Sequence, residues 1–226
     1  MQSSWLMMPK LRRHILKHTE RSKMVELNLT SGESGAWILK RFTVTPQGAK
    51  MHNLSEIFNG RNRFIYPGEY WGLFRDGKVI MSNTPAEIYD HKPFIRKAYG
   101  KVLVGGLGLG MVLKCLLDKK SVTKVTVVEK SPDVIKLVAS AYTADPRVEI
   151  VNADIFEYVP SERYDCAWFD IWDNISGEEY PEMKRLHRRY GRFVDWSDSW
   201  LRKQSRRLYK ENAKSELQCA PLGGLF

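Results

Sequence analysis

The sequence predicts an α/β fold in which helices pack against a parallel sheet. Three observations predict it. Residues 101–104, KVLV, form a short apolar β-branched run of the kind that fills a strand buried on both faces. Residues 125–128 and 148–151 carry the same signature and read as second and third strands. The first run also empties into a glycine-rich turn, GGLGLG at 105–110, ahead of an apolar helical stretch at 111–117.

The glycine turn carries the first functional signal. A strand opening through glycines onto a helix N-terminus makes a nucleotide-cofactor site, because missing β-carbons let backbone approach the ligand. A dinucleotide fingerprint needs G-x-G-x-x-G. Here Gly106, Gly108 and Gly110 give G-x-G-x-G, and Met111 stands at the third dinucleotide position. The segment resembles motif I of class I S-adenosylmethionine-dependent methyltransferases and the related spermidine synthases. Gly105, Gly106, Leu107, Gly108 and Gly110 are then its cofactor-binding residues.

Two carboxylates extend the resemblance. The second strand ends at Glu129, nineteen residues beyond Gly110, followed by Lys130. A carboxylate there can accept hydrogen bonds from both hydroxyls of a ribose. The third strand leads to Asp154 and Ile155, and Asp154 matches the family position that accepts from the adenine amino group. The stretch DPRVEIVNADIFEYV, 145–159, is similar to the equivalent region of spermidine synthases. Without a cofactor, both acids would read as caps of the helices that follow.

The fourth strand, 163–170, ends in Asp170-Ile171-Trp172-Asp173. In an open parallel sheet the ligand lies beyond the strand tips where strand order reverses, which sets Asp170 opposite the glycine turn. The D-x-x-D spacing resembles the paired aspartates of spermidine synthases, which implies catalytic roles for Asp170 and Asp173, one accepting the amine proton and one holding the amine. Trp172 is a candidate pocket wall and Trp168 a core residue. The segment is not the D-P-P-Y type motif of amino-methylating DNA enzymes. Residues 81–110 resemble small spermidine-synthase-like methyltransferases of phages and bacteria, and the likeness covers about 69–173. It implies a Rossmann-like class I methyltransferase fold with a shortened parallel sheet of four or five strands. A small β-rich N-terminal region occupies 1–82, the cofactor-binding core 83–175, and a basic helical C-terminal extension 176–226.

Elsewhere the elements are read in order. Residues 9–23 suggest a short basic helix, on which His14 and His18 are solvent-facing rather than metal ligands, so no metal site is expected. Strands are expected at 24–30 and 36–44 about the turn 31–35, and a helix at 51–58 ended by Asn59-Gly60. Residues 69–74 and 78–82 read as a hairpin about Arg75-Asp76-Gly77. A helix capped by Asn83 or Thr84 follows, with Pro85 in its first turn, a kink or restart at Pro93 and an end at Gly100. After Asp173 the apolar spacing predicts helices at 181–193 and 196–209.

Composition narrows the classes further. The chain has 226 residues, is 43% hydrophobic, and has no run near the roughly 20 apolar residues that span a bilayer. No membrane partner is expected. Three widely spaced cysteines and the lack of a signal-like amino terminus point to reduced thiols and a cytoplasmic location. The net charge of +10 is uneven: residues 9–23 carry +5, residues 181–210 carry +7, and the remainder sums to −2.

Three functions are consistent with these residues. The first is methyl transfer from S-adenosylmethionine to an amine or hydroxyl acceptor, small or macromolecular. The second is aminopropyl transfer from the decarboxylated cofactor, with Asp170, Asp173, Glu178 and Glu179 as an anionic lip. Spermidine synthases carry a Gln and a D-E-x-x-Y-H/Q-E segment after the hairpin, whereas IMSNTPAEIYDH, 80–91, lacks the full set. The third is a nucleic-acid-binding module that keeps the fold without catalysis, using the basic C-terminal faces against phosphates.

Overall fold

The computed structural model describes residues 25–219. Its elements run β1 (Gly32–Ser34), β2 (Trp37–Val44), α1 (Pro46–Phe58), β3 (Gly68–Arg75), β4 (Lys78–Ser82), α2 (Pro85–Lys97), β5 (Gly100–Gly105), α3 (Met111–Leu117), β6 (Val122–Glu129), α4 (Pro132–Val138), β7 (Val148–Asn152), β8 (Tyr164–Phe169), α5 (Tyr180–Tyr190), β9 (Val194–Ser199) and α6 (Arg202–Cys219). The basic helix expected over 9–23, with His14 and His18, and the tail beyond Cys219 lie outside the described residues.

Strand β5 has Val102 and Leu103 fully buried, so it is covered on both faces and sits at the centre of a sheet. That sheet is wholly parallel, in the order β7-β6-β5-β8-β9. Val104 faces Val127 on one side and Trp168 on the other. The chain builds outward from β5 through β6 to β7, then returns to place β8 on the opposite flank. The order therefore reverses between β5 and β8, as in Rossmann-like folds, and their carboxyl ends open a crevice there.

The N-terminal strands form their own antiparallel sheet, β1-β2-β3-β4, instead of extending the parallel one. Asp76 and Gly77 both take positive φ, 51° and 76°, giving the tight β3–β4 turn. This sheet docks through Leu39, Trp71 and Leu73, which join Val102, Val104, Leu113 and Trp168 in one hydrophobic cluster. Ser34 Oγ also donates to Asp133 Oδ1 at 2.7 Å, tying β1 to α4.

Several expectations are corrected. No strand forms over 25–30, and three residues read as turn, 32–34, pair with β2 instead. Helix α1 starts at Pro46, where the Thr45 hydroxyl caps it by accepting from Gly48 N. Pro93 does not interrupt α2, which continues to Lys97. The lost N–H is offset by packing, since Phe94 is buried and stacks on Trp168 with ring centres 4.9 Å apart. Gly100 opens β5 rather than ending the helix.

The largest correction lies beyond residue 193. The stretch read as a helix at 196–209 splits into β9, added parallel to β8, and α6. Trp196 serves the strand, tilted against Phe94 at 5.3 Å, and Leu201 at φ 46° turns the chain into α6. The parallel sheet thus extends past residue 175. Helix α5 crosses between β8 and β9, ending at Tyr190 rather than at 193. It buries Met183, Leu186 and Tyr190 completely. The Tyr190 hydroxyl donates to Ile155 O at 2.7 Å, and His187 bridges the hydroxyls of Ser197 and Ser199 on β9.

Truncating Leu186 leaves a cavity against the sheet. Leu186→Ala should cost about 2–5 kcal/mol in urea denaturation, with an unchanged m-value.

Candidate active site

The crevice at the β5/β8 reversal is a cleft of about 780 Å³. Its floor comes from the strand tips, its roof from the N-terminal sheet, and one wall from the start of α6. The two central tips touch. Asp170 N donates to Gly105 O at 2.8 Å, and a β-carbon on Gly106 (φ 96°) would collide with the Asp170 carbonyl oxygen. Only glycine satisfies both the dihedral and the space.

The cleft collects most of the residues singled out from sequence. Gly106, Gly108, Glu129, Lys130, Asp154, Ile155, Asp170 and Asp173 all line it, with Trp172. Gly105, Leu107 and Gly110 do not. Gly105 backs onto Ile155 and Phe169, and the Leu107 side chain is buried in the core. Gly110 is the N-cap of α3, pressed against the Tyr142 ring.

Glu129 is aimed by backbone. Its Oε2 accepts from Leu107 N and its Oε1 from Ser131 N, each at 2.8 Å. Asp154 Oδ1 accepts from Phe156 N at 2.8 Å, and Oδ2 pairs with Lys130 Nζ at 2.8 Å. The Lys130 ammonium, followed by the Phe156 N–H, holds the Asp154 carboxyl below the usual carboxylate range. Two strand-end acceptors thus face one hollow above the glycine turn.

The Asp170 side chain is only 9% exposed. Burial, then the neighbouring Glu87 and Asp90, pushes its carboxyl up to about 8. Burial raises Glu87 to about 7, opposed by bonds from Ser82 N and Ser82 Oγ. Burial, then Arg63, lowers His91 to about 3. His91 Nε2 lies 3.6 Å from Asp170 Oδ2, too far for a hydrogen bond. At neutral pH the imidazole is neutral and Asp170 is largely protonated, so this proximity is not an ion pair. Asp90 is raised by burial, yet it accepts from Arg63 Nε at 2.8 Å, which keeps a charged partner within reach.

Glu87, Asp90 and His91 are functional candidates that sequence reasoning passed over. Their signal was present: Glu87 and His91 stand four apart, which places both on one face of α2. Asp173 sits apart from this cluster, at the exposed rim, where it is ion-paired with Arg75. Arg75 in turn lies over the Trp37 ring at 5.0 Å. Among the described residues no group of His, Cys, Asp and Glu is arranged to hold a metal ion, and no helix is long and apolar enough to cross a membrane.

No family model matches the chain. It is 29% identical over 182 residues to a polyamine aminopropyltransferase of Aeropyrum pernix, a match covering 70% of this chain and 56% of that protein. The relatives are transferases. The chain therefore spans little more than half the length of the curated relative it matches. Among solved structures, spermidine synthase of Thermotoga maritima is 23% identical, with 69% of this chain and 50% of that one covered and a TM-score of 0.39. N-methyltransferase NodS of Bradyrhizobium japonicum WM9, in complex with S-adenosyl-L-homocysteine, is 15% identical, with 48% and 56% covered and a TM-score of 0.40.

Two outcomes follow from the geometry. Gly106→Ala should separate the strand tips and lower stability by about 2 kcal/mol or more, read as a fall in urea midpoint. Asp170 binds its proton more tightly folded than unfolded, so it opposes folding increasingly as pH rises from about 4 to about 8. Asp170→Asn should therefore gain melting temperature relative to the parent between pH 5 and pH 8.5, by several degrees at the alkaline end.

Proposed function

We propose that this chain is an S-adenosylmethionine-dependent methyltransferase acting on an amine or hydroxyl acceptor. The observation that carries this reading is the convergence of Glu129, Asp154 and Asp170 on one hollow over a glycine turn. The residues present fit such a donor. Glu129 keeps lone pairs free for ribose hydroxyls while Leu107 N and Ser131 N hold its orientation. Asp154 can exchange its exposed Lys130 partner for an adenine amino group. When bound, the donor supplies a methyl carbon activated by a positive sulfur.

The protein's remaining task is alignment and proton management. Asp170, mostly protonated at rest, faces the place where that positive charge would arrive. A cation beside a buried carboxyl favours its ionised form. Asp170 would then hold the acceptor N–H or O–H and take its proton. Asp173, engaged by Arg75 at the rim, would meet the outer part of the acceptor.

Aminopropyl transfer is the second reading, favoured by the identity of the curated relative. Arg75 speaks against it. It lines the cleft with Arg61 and Arg63, which are held by Glu56 and Asp90. The Arg75 guanidinium, stacked on Trp37, can exchange its Asp173 partner for the carboxylate of the intact donor. The decarboxylated donor has no group for it.

Calorimetric titration with S-adenosylmethionine, its decarboxylated form and NAD separates these readings. The intact donor should bind, and Glu129→Ala should weaken it about 100-fold, as expected for two charge-assisted hydrogen bonds. A preference for the decarboxylated form would exchange the two readings, and a preference for NAD would overturn both. With an acceptor in hand, kcat/KM should rise with pH through about 8. Asp170→Asn should keep donor binding within about tenfold and abolish transfer. Full turnover by that variant would remove Asp170 from the mechanism.

A further inference from the structure

Helices α5 and α6 bury apolar residues inward and turn cations outward. On α5 the outward residues are Lys184, Arg185, Arg188 and Arg189, with Arg192 just beyond, all exposed. On α6 they are Lys203, Arg206, Arg207 and Lys210, also exposed. Solvated helix faces usually intersperse both signs, so that cations find carboxylates one turn away. Here Arg207 alone among these cations has such a partner, Glu211 at 3.7 Å.

The nearby acids are already engaged. Glu182 accepts from Trp172 Nε1 at 2.8 Å, Asp195 from Arg163 at 2.9 Å, and Glu179 from Ser176. Three of the α5 cations lean on other partners without being neutralised. Arg185 lies over Phe156, Arg189 donates to the carbonyls of Glu157 and Tyr158, and Lys184 lies over Tyr180 at 6.0 Å. Among these cations only Arg207 is therefore ion-paired with a carboxylate.

The two faces are also continuous and adjoin the cleft. Tyr180 at the head of α5 and Tyr209 on α6 have ring centres 5.6 Å apart, so the rings and Lys184 join the α6 cations to those of α5. Leu201 just before α6 and Gln204 on it, with Glu182 of α5, line the cleft. Tyr209 is 42% exposed, leaving ring surface available beside Lys210.

We infer that the α5–α6 face is a docking surface for single-stranded nucleic acid, laid along the lip of the cleft. Cations spaced over about 8 Å of α5 and about 10 Å of α6 match a run of phosphates. An exposed aromatic ring among them is the stacking platform such strands use. A lipid surface would want apolar side chains beside the cations on the outer face, and here the outward positions are nearly all charged. This inference stands apart from the methyl-donor reading, since it concerns the surface and not the hollow.

The test is fluorescence anisotropy of a labelled twelve-residue oligothymidylate at 50–300 mM KCl. Binding should weaken with salt at a log–log slope of about −3.5, the value for five phosphates on a single strand. Arg206→Glu combined with Lys210→Glu should reduce affinity about 100-fold at 100 mM KCl. Tyr209→Ala should reduce it about tenfold with the slope unchanged. All variants should melt within about two degrees of the parent, so that loss of binding reports the surface and not the fold. The inference is overturned by absence of saturation at 50 mM KCl, by a slope shallower than −1, by full affinity in the double variant, or by tighter binding to phosphatidylserine vesicles than to the oligonucleotide. A failed donor titration would leave a positive oligonucleotide result standing.

Discussion

The contact between the tips of β5 and β8 is the constraint on which the site depends. A backbone hydrogen bond from Asp170 to Gly105, with bare backbone at Gly106, brings the ends of two strands together where the sheet reverses direction. Two consequences come from that one contact. The glycine turn meets the cleft through Gly106 and Gly108, and β6 and the loop after β7 bring Glu129 and Asp154 to the same hollow. The Asp170 side chain is also driven inward, under α2, where water is scarce and other carboxyls are close. A recognition hollow and a displaced acid–base group therefore arise from the same piece of backbone geometry.

The N-terminal sheet completes what the parallel sheet begins. Met81, Leu73 and Arg75 form part of the cleft roof, and Ser82 holds Glu87 beneath it. A parallel sheet alone would offer an open crevice. The added sheet makes it a cleft with a polar floor and a charged rim. Its docking through Leu39, Trp71 and Leu73 into the central core makes roof and floor parts of one hydrophobic unit. Stability and site geometry are thus linked, because loosening that packing would also move Arg75 and Met81.

The sequence made the centre of the molecule legible and its edges less so. Strands β5 and β6 carry runs of buried apolar and β-branched residues, Val102–Val104 and Val125–Val128, and residues buried on both faces leave no alternation to misread. Glu129, Asp154 and Asp170 were visible because strand ends are marked by the change from apolar to acidic residues. Edge elements lack that contrast. Strand β9 has one buried apolar residue, Val194, and its Trp196 falls at helical spacing with Trp200 just beyond, so tertiary pairing with β8 decides its conformation. Pro93 misled for a related reason: stacking of Phe94 on Trp168 outweighs a local breaker. The cluster beneath Asp170 was hidden because α2 precedes β5 in sequence, and only packing brings Glu87 and His91 under a strand tip some eighty residues later.

Met81 gives the glycine turn an oxidative weak point. Its thioether sulfur accepts the Leu109 N–H at 3.3 Å and fills the space beside Gly108 that a side chain there would need. A sulfoxide at that position would add an oxygen to the sulfur that accepts the Leu109 N–H, beside the backbone that opens α3. Peroxide chemistry at a single sulfur atom in the roof would then reshape the floor, and a methionine sulfoxide reductase would be needed to restore it.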